Sequence, residues 1–230
     1  MVDKLRKAHL GREDKIHYSA EVLVVWFVEL LPTESLDKLL SNVVSNNKWG
    51  EAQRDFNASK VVYIIGNGGN LAVADHASVD ITRLSGKLGI APGSGILATS
   101  VIGDSSFDDW FTNWLNAHTF NLELKQLSES MVIGVSSSGI ARNVSKCLLR
   151  ATDLGMKTLM ISARNIIEED RRFRTVCIGT DYYHTGEVVS LILFYQLIHG
   201  SGSSCPRISS KIGKESFDRI INPKSLLGQH

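Results

Sequence analysis

Short apolar runs recur along the chain, separated by longer stretches whose apolar residues fall at helical spacing. The runs KVVYIIG (60–66), GILATSV (95–101), SMVIGVS (130–136), KTLMIS (157–162) and TVCIG (175–179) are rich in β-branched side chains and predict buried strands. Between them the pattern predicts helices over Leu71–Leu84, Phe107 to about Leu127 and Ile140–Leu154, and a short acidic one near Ile166. Ahead of the first run, Ser19 to about Asn46 reads as helix broken at Pro32, with Thr33 placed to cap a second helix. After the last run, GEVVSLILFYQLIHG (186–200) is apolar nearly all round, the mark of a helix buried on most sides. Strands alternating with helices predict an α/β fold whose parallel sheet is covered on both faces. The chain divides into an N-terminal helical arm (1–58), the α/β domain (59–200) and a polar C-terminal tail (201–230).

Composition narrows the partners. Of 230 residues, 43% are hydrophobic and 21% charged, as in an ordinary soluble globular protein. A formal net charge of +1 gives no general electrostatic case for nucleic acid or an anionic membrane, so neither is expected as a partner. Any acidic ligand must be met locally. The apolar stretch EVLVVWFVELL (21–31) falls short of the ~20 residues of a membrane span. It carries Glu21 and Glu29, and no small-residue cleavage site follows it, so no signal peptide is expected. Cys147, Cys177 and Cys205 are odd in number, widely spaced and without a CxxC pair, which fits reduced thiols in a cytoplasm. The sequons at Asn57 and Asn143 then read as chance matches.

Two strand-ending turns carry the candidate chemistry. In YIIGNGGN (63–70) side chains are largely removed, and bare amides at a strand end often face an anion, although purely structural turns use glycine as well. Leu71 stands where a dinucleotide fingerprint needs its third glycine, and no GK[ST] follows, so neither familiar phosphate loop is present. The second turn, GVSSSGIARNV (134–144), sets Ser136, Ser137, Ser138 and Gly139 where a strand hands over to a helix. That is either a phosphate cradle or a serine-capped helix start. Between the turns, ADHASVDITR (74–83) places His76 and Asp80 on one helix face, either as a surface pair or as a general base with an orienting partner or metal ligand. HTGE (184–187) adds an imidazole and a carboxylate at the start of the last helix, where capping is the alternative role, above all for Glu187.

Taken together, GNGGN with ADHASVDITR, VIGDSSFDDWF (101–111) and GVSSSGIARNVSKCLLRATDLGMKTLMIS (134–162) resemble the sugar isomerase (SIS) domain of phosphoheptose isomerases. The resemblance runs from about Val61 to Ser162 and more thinly to Ile198. It implies a flavodoxin-like, doubly wound five-stranded parallel sheet with an N-terminal helical arm, usually in a homotetramer. It also implies a phosphosugar aldose–ketose isomerase converting sedoheptulose 7-phosphate to a D-glycero-heptose 7-phosphate. Asn67, Gly68, Gly69, Asn70, Asp104, Ser136, Ser137 and Ser138 would bind substrate, Asp80 would act as base, and His184 would assist at the oxygens. No cofactor is required, but family members can carry zinc, for which His76 and Asp80 would be ligands.

The departures from the family pattern are as informative. Asn70 stands for a serine, Ile140 and Ala141 for an asparagine and a serine, Gly103 for an asparagine, and Asp80 for a glutamate. In the last helix, Gly186 and Phe194 fall where the family has a glutamine and a histidine. Those two vacancies support the alternative function, a non-catalytic SIS protein that binds a phosphosugar or a protein partner; Asp80 and the triple serine support the isomerase. The apolar stretch from Val188 to Ile198 predicts a dimer or tetramer that buries this helix and the arm around Trp26.

Overall fold

The computed structural model describes residues 35–93, 95–166 and 172–205. Trp26, Thr33, Pro32 and most of the expected C-terminal tail lie outside them, as does the acidic stretch after Ile166.

Helix α1 (Leu36–Val44) begins at Ser35, whose Oγ accepts the Lys38 N–H at 3.4 Å, and α2 (Asn47–Ala58) begins at Asn46, whose side chain accepts the Lys48 N–H at 2.9 Å. Strand β1 (Val61–Gly66) then runs into α3 (Gly69–Ser85), followed by β2 (Leu88–Ile90), α4 (Gly95–Asp104), α5 (Trp110–Thr119) and α6 (Leu124–Ser128). The remainder is β3 (Ser130–Ser136), α7 (Arg142–Asp153), β4 (Lys157–Ser162), β5 (Arg174–Cys177) and α8 (Tyr183–Gly200). The five strands pair in parallel in the order β2-β1-β3-β4-β5. This is the flavodoxin-like order, whose switch point lies between β1 and β3.

Strand alternation divides the core between the two faces. Val62, Ile64, Met131, Ile133, Leu159 and Ile161 point to one face, where Trp49 and Phe56 of α2, Ala77 and Ile81 of α3, and Leu193 and Phe194 of α8 cover them. Tyr63, Ile65, Val132 and Met160 point to the other, under Trp110, Phe111 and Trp114 of α5 and Val144 and Leu148 of α7. Each large side chain fully buried this way contributes roughly 1.5–3 kcal/mol. Residues 35–58, the described part of the expected arm, thus supply core: Val43, Trp49, Ala52 and Phe56 are all buried.

One expected strand is a helix. GILATSV forms most of α4, and the edge of the sheet is built instead by Leu88–Ile90, paired with Val61–Tyr63. Periodicity cannot separate a short apolar strand from about two turns of helix. Here Thr99, a poor helix former, bonds its Oγ1 back to the carbonyls of Gly95 and Ile96 at 2.8 and 3.0 Å. The helix expected over 107–127 is also divided, into α5 and the short α6 with its Glu123–Gln126 capping box.

Candidate functional site

Strands β1 and β3 lie side by side, so the turns at their carboxyl ends meet at the switch point. Side-chain amides bind the two turns together. Asn67 Nδ2 donates to Asn143 Oδ1 at 2.9 Å and Asn143 Nδ2 donates back to Asn67 Oδ1 at 2.8 Å. Asn70 Nδ2 donates to Ser137 Oγ at 3.0 Å. Asn143 is 1% exposed, and its Oδ1 also accepts the Val144 N–H at 2.9 Å, so this residue organises the site from below. Its sequence signal was only a chance sequon. The readable cue was an asparagine at the second position of the helix after the serine turn.

The three serines use their oxygens in the same way. Ser136 Oγ accepts the Gly139 N–H at 3.1 Å, Ser137 Oγ accepts from Asn70, and Ser138 Oγ accepts the Ile140 N–H at 3.3 Å. Each hydroxyl thus accepts one bond and still carries a proton with which it can donate. Gly139 adopts a left-handed φ of +68°, and a Cβ there would strike Ser162 Oγ and Ile166, so any side chain at this position would be strained.

The expected serine cap is not what begins α7. Its N-cap is Ala141, with no side-chain hydrogen bond, and the same holds for Gly68 at the start of α3 and Tyr182 at the start of α8. All three openings border one cavity of about 190 Å³, lined by Asn67, Asn70, Ser136, Ala141 and Tyr183 together with Ser137 and Ser138. A neighbouring cavity of about 340 Å³ shares Ser137, Ser138 and Tyr183 and extends past Arg164 and Thr180. The positive ends of three helix dipoles therefore converge on a hydroxyl-lined hollow at the carboxyl edge of the sheet. Such a place favours an anion.

Of the remaining expected residues, Gly69 faces not open space but Glu187 of α8: a Cβ would collide with that carboxylate. Asp104 is exposed at the end of α4 and lines neither cavity. Its neighbours Asp108 and Asp109 instead anchor the first turns of α7, through Arg142 at 3.2 Å and Lys146 at 2.7 Å. The hydrogen bond from Lys146, then that from Ser106, holds the Asp109 carboxyl below its usual range.

His76 and Asp80 do meet on α3, with Nε2 and Oδ2 3.1 Å apart. They meet away from the serine turn. Neither lines the two cavities, and Asp80 lies ten residues from Asn70, about 15 Å along the helix axis. Their partner from the last helix is not His184, which is exposed beside Tyr182, but Tyr195. The Tyr195 hydroxyl donates to Asp80 Oδ2 at 2.6 Å and sits 3.1 Å from His76 Nε2, while Arg83 reaches Asp80 Oδ1 at 3.4 Å. Burial first, and then the Asp80 hydrogen bond and charge, push the Tyr195 hydroxyl up to about 12. The sequence reading missed Tyr195 because it follows directly on Phe194, the position matched to the family histidine. Among the described residues no three His, Cys, Asp or Glu side chains gather to hold a metal ion, so His76 and Asp80 alone do not supply the three protein ligands of catalytic zinc.

Strand order, covering helices and a serine-lined hollow at the switch point define a parallel α/β domain of the sugar isomerase (SIS) fold. Its relatives in sequence are phosphoheptose isomerases. The chain is 30% identical over 111 residues to that of Helicobacter pylori (strain P12), a match spanning 45% of this chain and 54% of the relative. The chain thus spans about half the length of the curated relatives it matches. Among solved structures, the phosphoheptose isomerase of Neisseria gonorrhoeae superposes with a TM-score of 0.59 at 16% identity, covering 79% of this chain and 97% of that one. That of Francisella tularensis gives 0.58 at 16% identity, covering 80% and 98%. No protein-family model matches the chain. No described helix is long and apolar enough to cross a membrane.

Proposed function

We propose that this chain is a phosphosugar isomerase that seats the phosphate of a ketose phosphate in the serine-lined hollow and moves a proton between C1 and C2. The observation that carries the reading is the convergence of three helix starts without side-chain caps on the hydroxyls of Ser136, Ser137 and Ser138. The curated relatives are named phosphoheptose isomerase, which supports a heptose phosphate as the class of substrate; the proposed ketose is sedoheptulose 7-phosphate and the proposed product a D-glycero-heptose 7-phosphate. Asp80 is the proposed base, and no metal is needed for the proton transfer. The setting is proposed to be the cytoplasm.

A second reading, phosphosugar binding without turnover, is favoured by one observation: the Asp80 carboxylate lies outside both cavities and already has three partners. The two readings part in a single experiment. Wild-type protein is incubated in deuterated water with C5 to C7 ketose phosphates, with inorganic phosphate as control for binding, and deuterium at C1 or C2 is followed by NMR. Incorporation supports the isomerase; saturable binding without incorporation for any candidate leaves the binding protein.

We also propose a homo-oligomer, dimer or tetramer. Helix α4 carries no charge before Asp104 and has no buried residue, with Ile96 81% exposed, and Val188 on α8 is 48% exposed. Light scattering at micromolar concentration should show a species larger than the 25.3 kDa chain; a monodisperse monomer removes this proposal.

A further inference from the structure

The Asp80 carboxylate is held unevenly. Oδ2 accepts the Tyr195 hydroxyl at 2.6 Å and faces His76 Nε2 at 3.1 Å, whereas Oδ1, among the described residues, meets Arg83 alone at 3.4 Å, the long end of the hydrogen-bond range. His76 and Arg83 belong to the same helix as Asp80 and approach from either side of it. Tyr195 comes from α8, across the helix–helix contact, and is the group that ties the carboxylate to a second element. Its own position is fixed in turn. The ring packs edge-on to His76 with centroids 6.3 Å apart, and its carbonyl accepts the Cys205 thiol at 3.7 Å. The histidine considered from sequence for the same task, His184, lies eleven residues earlier on α8, about 16 Å along the axis.

We infer that Tyr195 is the positioning residue of the reaction in this chain: with His76 it holds Oδ2 of Asp80, which leaves Oδ1, met by Arg83 at 3.4 Å, as the oxygen that takes the substrate proton. The inference rests on the isomerase reading above. In the step it serves, the C1–H bond breaks as Oδ1–H forms, and the freed pair becomes the C1=C2 bond of an enediol. The C2 carbonyl oxygen takes a proton from water. Return of the proton from Oδ1 to C2, with loss of the O1 proton to water, gives the aldose. Tyr195 keeps its own proton throughout. A phenol suits the task because it donates one directional bond and adds no second positive charge beside Arg83.

The test compares wild type, the Tyr195→Phe variant, and protein carrying para-aminophenylalanine at position 195, which keeps the ring and restores an N–H donor at its tip. Deuterium exchange into the ketose phosphate is measured at saturating and limiting substrate. Tyr195→Phe should lower the saturated rate at least tenfold while the half-saturation concentration stays within twofold, and the amino analogue should recover most of the loss. A folding defect alone would not be repaired by an added donor. Unchanged exchange in Tyr195→Phe, or an amino analogue no faster than it, overturns the inference while the isomerase stands. A wild type that binds the sugar phosphates and exchanges nothing overturns the isomerase reading, and the role of Tyr195 with it. If the Phe variant melts too low to assay, the amino analogue against wild type decides: a rate below one tenth of wild type in well-folded analogue overturns it.

Discussion

Helix α3 serves two polar regions that are built in opposite ways. At its start, the cleft between β1 and β3 is made of neutral groups: asparagine amides, serine hydroxyls, and backbone N–H groups at three helix openings. The cation that borders the adjoining cavity, Arg164, is itself paired with Asp181 at 3.1 Å and largely exposed. Farther along the helix, the cluster of His76, Asp80, Arg83 and Tyr195 is charged and satisfies itself across the α3–α8 contact. The cleft's amides pair with one another, but its hydroxyls and helix starts line a cavity, whereas the cluster lines neither of the two cavities. A chain with a net charge of +1 can therefore still be equipped for an anion, through oriented dipoles in place of a basic patch.

The sharpest way to break this division is Asp80→Asn. Shape and most hydrogen bonds are kept but the proton acceptor is gone, so exchange into the bound sugar should fall by about 10²–10⁴-fold, with binding untouched. A parallel loss of binding, read by calorimetry, would mean that the Asp80 carboxylate also holds the sugar. Next in size, Ser137→Ala and Ser138→Ala should each weaken sugar-phosphate affinity by roughly 1.5–3 kcal/mol, the worth of a hydrogen bond to a charged group. Unchanged affinity in both would remove the serine turn from the site.

Asn143→Ala addresses the frame under the cleft. It leaves the part-buried Asn67 amide without its reciprocal partner, for a loss of about 1–3 kcal/mol in denaturant unfolding. Phosphate binding should weaken in step, because the two turns are no longer fastened. Stability lost without any change in binding would show that the turns hold their spacing unaided.

The smallest effect belongs to the anchor of α7. The folded-state carboxyl of Asp109 titrates below its unfolded value, so its contribution is present above the unfolded carboxylate range and fades as pH falls through the folded value. Asp109→Asn should make the melting temperature slightly less sensitive to acid, as followed by thermal denaturation from pH 7 downwards. The pair is too exposed for more than a slight change.

Much of this molecule is local in origin. β-branched runs ending in glycine or serine were enough to read β1, β3 and β4, and helical spacing of apolar residues was enough to read α3, α7 and α8, because both signals follow from backbone periodicity. The glycine and serine turns were legible for the same reason, since left-handed backbone at Gly139 and a strand-to-helix reversal restrict residue type at the position itself. What needed the tertiary structure were facts about competition and adjacency. GILATSV could have been strand or helix, and pairing of Leu88–Ile90 with β1 took the edge of the sheet. Asn143 carries no local mark of the bond it makes with Asn67, 76 positions away in the chain. Glu187 read as a helix cap, yet its carboxylate lies where a Cβ on residue 69 would fall. Tyr195 stands one residue past the position matched to the family histidine, and only the packing of α8 on α3 set its hydroxyl against Asp80. Sequence fixes what a segment can do with its own backbone; which distant side chain completes a polar group is decided by where folding brings it.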